Sequence, residues 1–215
     1  MDGVVIDSQP AANQALVEAA VLHGIRLQVS ELEDLIGASQ QQFWSYLKQR
    51  YGLPEPVSFY AASYDEDREI AVYDQTLFST GLQALLSELR DSELAVALAT
   101  SGSRKRMNAV IDLFALAPLL DVAVCREDAP REKPAPDLFL AAAAALDVSP
   151  DACLVIEDSP RGFAAARAAG MKVLGFTAYA ASTSLRVGAD AYFPSFEGLD
   201  LAELQAMWKR LVGPA

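Results

Sequence analysis

The chain has 215 residues, 52% of them apolar, and its 17 basic and 29 acidic side chains give a formal net charge of −12. Such a length buries about 70% of the surface exposed on unfolding, and the composition excludes a disordered chain. The acidic balance excludes a nucleic-acid backbone as partner, because such binders concentrate Lys and Arg. The longest apolar run, Leu138 to Leu146, is too short to cross a bilayer, and the N-terminus carries no signal-peptide pattern. No membrane role is expected. Cys125 and Cys153 both stand in apolar, strand-like runs, which suits small buried thiols and a cytoplasmic location better than a disulfide framework.

The chain opens on Met1-Asp2-Gly3-Val4-Val5-Ile6-Asp7-Ser8, an Asp-Gly turn with no strand before it, although a working carboxylate in an α/β protein sits where a buried strand ends. From Pro10 to Ile25 the residues Ala12, Leu16, Val17, Ala20 and Val21 recur at helical spacing, with Gly24 as the stop. Ser30 and Glu33 form a capping-box pattern, Ser39 to Tyr51 carries Phe43, Trp44 and Leu47 on one face, and Val57 to Phe78 is mostly helical in pattern. No strand signal occurs between Gln9 and about Ser79.

From there the texture alternates. A helix over Gly81 to Arg90 precedes an apolar run, Leu94 to Ala99, which ends at Thr100-Ser101-Gly102-Ser103. A helix follows over Arg104 to Phe114, then a strand at Val122 to Cys125 and an Ala-rich helix from Pro136 to Leu146. Cys153 to Ile156 reads as a strand, Pro160 to Ala169 as a helix closed by Gly170, and Lys172 to Phe176 as another strand. A short strand at Ala191 to Phe193 and a helix from Leu201 to Val212 finish the chain. The expected architecture is an α/β, Rossmann-like parallel-sheet core over 1–9 and 80–215, with an inserted all-helical domain over 10–79.

In open parallel sheets ligands bind beyond the carboxyl ends of the strands. Those ends, with the loops that follow them, collect Asp2, Thr100, Ser101, Lys133, Glu157 and Asp158. Three carboxylates converging there would repel by several kcal/mol at about 4 Å and an effective dielectric near 20. A divalent cation would relieve that repulsion, and oxygen-only ligands select a hard ion such as Mg²⁺. A helix N-terminus, where the dipole favours acids, accounts for Glu157-Asp158 as well. Thr100-Ser101-Gly102-Ser103 offers a hydroxyl and backbone N–H groups to a phosphate, and Ser103 as a plain N-cap accounts for it equally. Lys133, in Glu132-Lys133-Pro134, reads as a phosphate partner or as a solvated surface charge.

Taken together, Asp2-Gly3-Val4-Val5-Ile6-Asp7-Ser8, Leu98 to Ser103, Lys133-Pro134-Ala135-Pro136-Asp137-Leu138-Phe139 and Val155-Ile156-Glu157-Asp158-Ser159 resemble the four ordered motifs of the haloacid dehalogenase-like hydrolases. The likeness covers nearly the whole chain, and the helical block is similar to the family's small cap. By this resemblance Asp2 is the general acid/base and its carbonyl a Mg²⁺ ligand. Thr100 and Ser101 hold the phosphoryl oxygens, Lys133 neutralises nucleophile and phosphate, and Glu157 and Asp158 hold the metal. Ser39 and Gln40, in the cap turn, are specificity candidates, against the alternative of an ordinary polar turn. A small phosphorylated metabolite is the implied partner.

One departure matters. The family's nucleophilic Asp lies two residues before the position of Asp2, and its strand would precede Met1, so neighbouring strands are expected to lack a partner. The expectation is either a start at an internal methionine or a truncated chain. Sugar-phosphate mutases of the family carry a His and an Arg at the positions of Ala12 and Gln40, which favours hydrolysis over a phosphomutase activity. A dehalogenase is disfavoured because Glu157-Asp158 suits a metal that dehalogenases do not require. A catalytically silent domain that binds Mg²⁺ and phosphate is the remaining alternative.

Overall fold

The computed structural model describes residues 1–27, 40–179 and 187–213. Ser30, Glu33 and Ser39 lie outside the described residues. The chain divides into two compact units, one of Met1–Asp7 with Gln75–Ala215 and one of Ser8–Asp74.

In the helical unit, α2 (Gln40–Tyr51) buries its expected stripe, whereas α1 (Gln9–Leu22) buries Ala11, Ala15, Leu16, Ala19 and Ala20 and leaves Val21 exposed, a correction to the stripe expected there. Gly24 leaves α1 with a left-handed φ of 75°. The segment expected as one mostly helical stretch is two short helices, α3 (Val57–Ala61) and α4 (Glu66–Ala71), followed by a 3₁₀ turn over Gln75–Leu77 in the other unit. The break falls at Asp65, whose side chain accepts from the N–H groups of Asp67 and Arg68 and so starts a new helix. Phe43, Trp44, Leu47 and Tyr60 are buried together with Leu16, Ala20 and Ile25, and Trp44 stacks on Tyr60 with centroids 5.5 Å apart. His23 packs edge-on against Tyr60 and places Nε2 2.6 Å from Ser63 Oγ. These aromatic residues are core, and His23 has a structural role.

The α/β unit alternates as the sequence predicts: α5 (Leu82–Arg90), β1 (Ala97–Ala99), α6 (Arg104–Leu113), β2 (Val122–Val124), α7 (Asp137–Ala145), β3 (Leu154–Glu157), α8 (Pro160–Ala168), β4 (Lys172–Phe176), β5 (Ala191–Phe193) and α9 (Leu201–Val212). Every strand pair is parallel. Ala97 is in register with Val122, Leu154 with Lys172, and Leu174 with Ala191. Among the described residues the strands form two sheets rather than one, ordered β1-β2 and β3-β4-β5. A cavity of about 860 Å³ borders both β1 and β3, with Leu98, Ala99, Val155, Ile156, Met1 and Phe139 among its lining.

Helix α7 joins the two sheets. Leu138 and Ala142 pack with Val124 of β2, while Phe139 and Ala143 of the same helix pack with Val155 of β3 and Val173 of β4. Cys125 is buried and its thiol is pushed up to about 11 by burial and by hydrogen bonding with Asp128 and Glu127. Cys153 is only half-buried, a correction to the expectation for that residue, because it precedes β3 rather than lying in it. Among the described residues no helix is long and apolar enough to cross a membrane. Phe163, 1% exposed at the centre of the α7–α8–β4 cluster, is the side chain whose truncation leaves the largest void there. Phe163→Ala is expected to cost about 3–5 kcal/mol in urea unfolding.

Candidate active site

The turn that carries Asp2 is closed by its own backbone. Met1 C=O accepts from the N–H groups of Val5 (2.7 Å) and Ile6 (3.2 Å), and Gly3 N–H donates to Ile6 C=O at 2.8 Å. Ser79 N–H donates to Val5 C=O at 2.9 Å and Asp7 N–H to Leu77 C=O at 2.9 Å, so the turn is tied to the 77–79 segment. Gly3 sits at φ 68°, and a Cβ there would lie 2.0 Å from Asp158 Oδ2. The Asp158 carboxylate therefore rests against the turn that holds Asp2, and glycine is required at position 3 on both counts.

Thr100 follows β1 directly and is 2% exposed. Its N–H donates to Val124 C=O at 3.0 Å, and its Oγ1 accepts from Gly102 N–H at 3.0 Å. A hydroxyl engaged as acceptor keeps its proton to donate. Ser101 is exposed. Ser103 is the N-cap of α6, accepting from Arg106 N–H at 3.2 Å.

Lys133 is not a solvated surface charge. Its side chain is 12% exposed, Nζ donates to Glu157 Oε1 at 3.2 Å, and the ammonium stands 4.6 Å from the centroid of the Phe139 ring. Glu157 ends β3, 6% exposed, and accepts also from Ser159 Oγ at 2.9 Å and Asp158 N–H at 2.9 Å. Helix α8 starts after it, capped by Ser159, which accepts from Gly162 N–H at 3.1 Å. Glu157 thus serves the Lys133 ammonium rather than the first turn of α8. Burial works against its charge, yet the Lys133 ammonium, the Met1 α-amino group and the Asp158 hydrogen bonds hold its carboxyl below the usual range. Asp158 goes the other way. Burial and the adjacent Glu157 push its carboxyl up to about 7.

A further residue joins this group that the sequence patterns did not single out. Arg106, in the first turn of α6, places Nη2 2.6 Å from Asp2 Oδ1, with its side chain 16% exposed. The available signal was Arg104-Lys105-Arg106 at a helix N-terminus, where the dipole disfavours cations and where acidic partners from elsewhere are therefore called for. Gln40, by contrast, is an exposed residue opening α2 in the helical unit.

The acids Asp2, Glu157 and Asp158 offer only oxygen to a cation. Among the described residues no group of three or more His, Cys, Asp or Glu stands gathered for a metal ion. Mg²⁺ needs no such cage, taking one or two carboxylates with waters and substrate oxygens. Burial first and the neighbouring Glu157 charge second disfavour the ionised Asp158 carboxyl, and a divalent ion would offset both. The donor set fits a hard cation.

Two outcomes follow from this geometry. A Cβ at Gly162 would fall 1.5 Å from Glu157 Oε1, so Gly162→Ala is expected to dislodge the Glu157–Lys133 pair and cost about 1–3 kcal/mol in urea unfolding. Asp158 has a folded-state pKa above its unfolded value of 3.8. Folding therefore weakens as pH rises from about 4 through about 7 in metal-free protein. Asp158→Asn is expected to raise the metal-free melting temperature by a few degrees at pH 8 and to leave it nearly unchanged at pH 4.

The family profile of the haloacid dehalogenase-like hydrolases matches residues 1–170. The validoxylamine A 7'-phosphate phosphatase of Streptomyces hygroscopicus subsp. limoneus is 29% identical over 184 residues, covering 82% of this chain and 83% of its own. Hexitol phosphatase B of Escherichia coli K12 is 29% identical over 180 residues, covering 80% and 78%. The crystal structure of beta-phosphoglucomutase from Clostridium difficile superposes with a TM-score of 0.78 at 21% identity, covering 98% of this chain and 95% of that one, a likeness of fold. The chain belongs to the haloacid dehalogenase-like hydrolases.

Proposed function

We propose that the protein is a phosphatase that hydrolyses a small phosphate monoester, a sugar phosphate or similar metabolite, with Mg²⁺ held by the Asp2 carbonyl, Glu157 and Asp158. The observation that carries the reading is the buried Lys133–Glu157 pair at 3.2 Å, next to an Asp158 carboxylate that rests against the turn holding Asp2. Relatives named as phosphatases of a sugar-like phosphate and of hexitol phosphates support the ester chemistry. The helical unit acts as a cap in this reading, with Gln40 a candidate for choosing the leaving group.

In this mechanism the Thr100 hydroxyl and Ser101 N–H hold the phosphoryl oxygens, and Lys133 balances their charge, which is most of what phosphoryl transfer asks of a protein. The resemblance puts the nucleophile, a carboxylate, two residues ahead of Asp2. As its oxygen bonds to phosphorus and the ester P–O bond breaks, protonated Asp2 gives its proton to the leaving alkoxide. Asp2 then takes a proton from the water that attacks phosphorus, the aspartyl P–O bond breaks, and inorganic phosphate leaves. Bound Mg²⁺ supplies charge neutralisation at the phosphoryl oxygens.

The test measures phosphate release from p-nitrophenyl phosphate and a panel of sugar phosphates with Mg²⁺. Two forms are assayed: the 215-residue chain, and the same chain with an aspartate two residues ahead of Asp2 closing an apolar strand of roughly five or six residues. Turnover is expected, falling by about 10²–10³ in Asp2→Asn and Lys133→Ala and lost on chelation of the metal. Silence of both forms on every ester would sink the phosphatase reading, and interconversion of sugar phosphates without release of phosphate would replace it with a mutase.

A further inference from the structure

We infer that Arg106 is a positioning residue for the Asp2 carboxylate, an inference that rests on the acid/base reading of Asp2 above. The two side chains come from different elements, Asp2 from the N-terminal turn and Arg106 from α6, and meet at 2.6 Å with Arg106 largely out of solvent.

The location of Arg106 makes the contact specific. A cation in the first turn of a helix faces the positive end of the dipole, so it is held there by an outside anion rather than by its own helix. Its backbone N–H is anchored on Ser103 Oγ at 3.2 Å. Its guanidinium passes over the loop after β1, since a Cβ at Gly102 would lie 3.6 Å from Arg106 Nη1 and 3.2 Å from Thr100 Oγ1. The same guanidinium thus spans the phosphate-facing loop and the acid/base. The Asp2 side chain stands on a turn, with 34% of its surface open to solvent, and the guanidinium at 2.6 Å narrows the rotamers open to it. Proton delivery to a leaving oxygen tolerates little misplacement, because about 1 Å costs on the order of 10²-fold in rate. An arginine holds a carboxylate with directed N–H donors, whereas a lysine offers a point charge.

The test is a double-mutant cycle of Asp2→Asn and Arg106→Gln with Arg106→Lys beside it, made in whichever form turns over, and read on both steady-state kinetics and melting temperature. Arg106→Gln is expected to lower kcat by about 10–100-fold while KM changes less than about threefold, and Arg106→Lys to recover part of kcat. Added to Asp2→Asn, Arg106→Gln is expected to change kcat less than about twofold, since residues acting as a unit are not additive. Multiplying effects would overturn the inference, and a loss confined to KM would make Arg106 a phosphate-holding residue instead. The melts need no turnover. If no form hydrolyses any ester, the phosphatase reading fails, and the pairing is then decided by whether the double variant melts close to the weaker single variant, as expected, or at the sum of both losses, which would overturn it.

Discussion

The constraint on which the α/β unit depends is that the acids of its candidate site have cations delivered to them from other elements. Lys133, from the loop after β2, reaches Glu157 at the end of β3, and Arg106, from α6, reaches Asp2 on the N-terminal turn. Removing one partner of a buried pair such as Lys133–Glu157 costs about 3–5 kcal/mol, so the loop that brings Lys133 is not free to drift. Close backbone approaches make room for the pairing. Gly3 admits the Asp158 carboxylate and Gly162 admits that of Glu157.

Asp158 is the exception, and the informative one. Burial, and then the adjacent Glu157, push its carboxyl up to about 7. A fold optimised for stability alone would not keep two carboxylic side chains in this arrangement. Local disfavour of this kind recurs at sites arranged for a ligand.

The two halves of the site stand on different sheets. Thr100 follows β1 and Glu157 ends β3, and between those strands lies an apolar cavity rather than a hydrogen-bonded ladder. The relative placement of the two halves is then carried by side-chain packing, chiefly through α7, which contributes Leu138 and Ala142 to one sheet and Phe139 and Ala143 to the other. Phe139 also lies under the Lys133 ammonium. One helix thus supports both the junction of the sheets and the cation that neutralises Glu157.

The strand–helix alternation after residue 80 was legible in the sequence, because buried parallel strands read as short apolar runs and their helices as periodic ones. So were the polar residues at the strand ends, since Thr100 and Glu157 each stand at the carboxyl end of a strand that the apolar runs mark out. The sequence also left alternatives at Lys133, and tertiary contacts removed one of them: Lys133 is buried on Phe139 and paired with Glu157 rather than solvated. The break at Asp65, the division into two sheets and the Arg106–Asp2 pair, which joins residues 104 positions apart, were decided only in three dimensions. Periodicity and local motifs record what a residue does for its own element, whereas an ion pair between elements depends on where the chain returns.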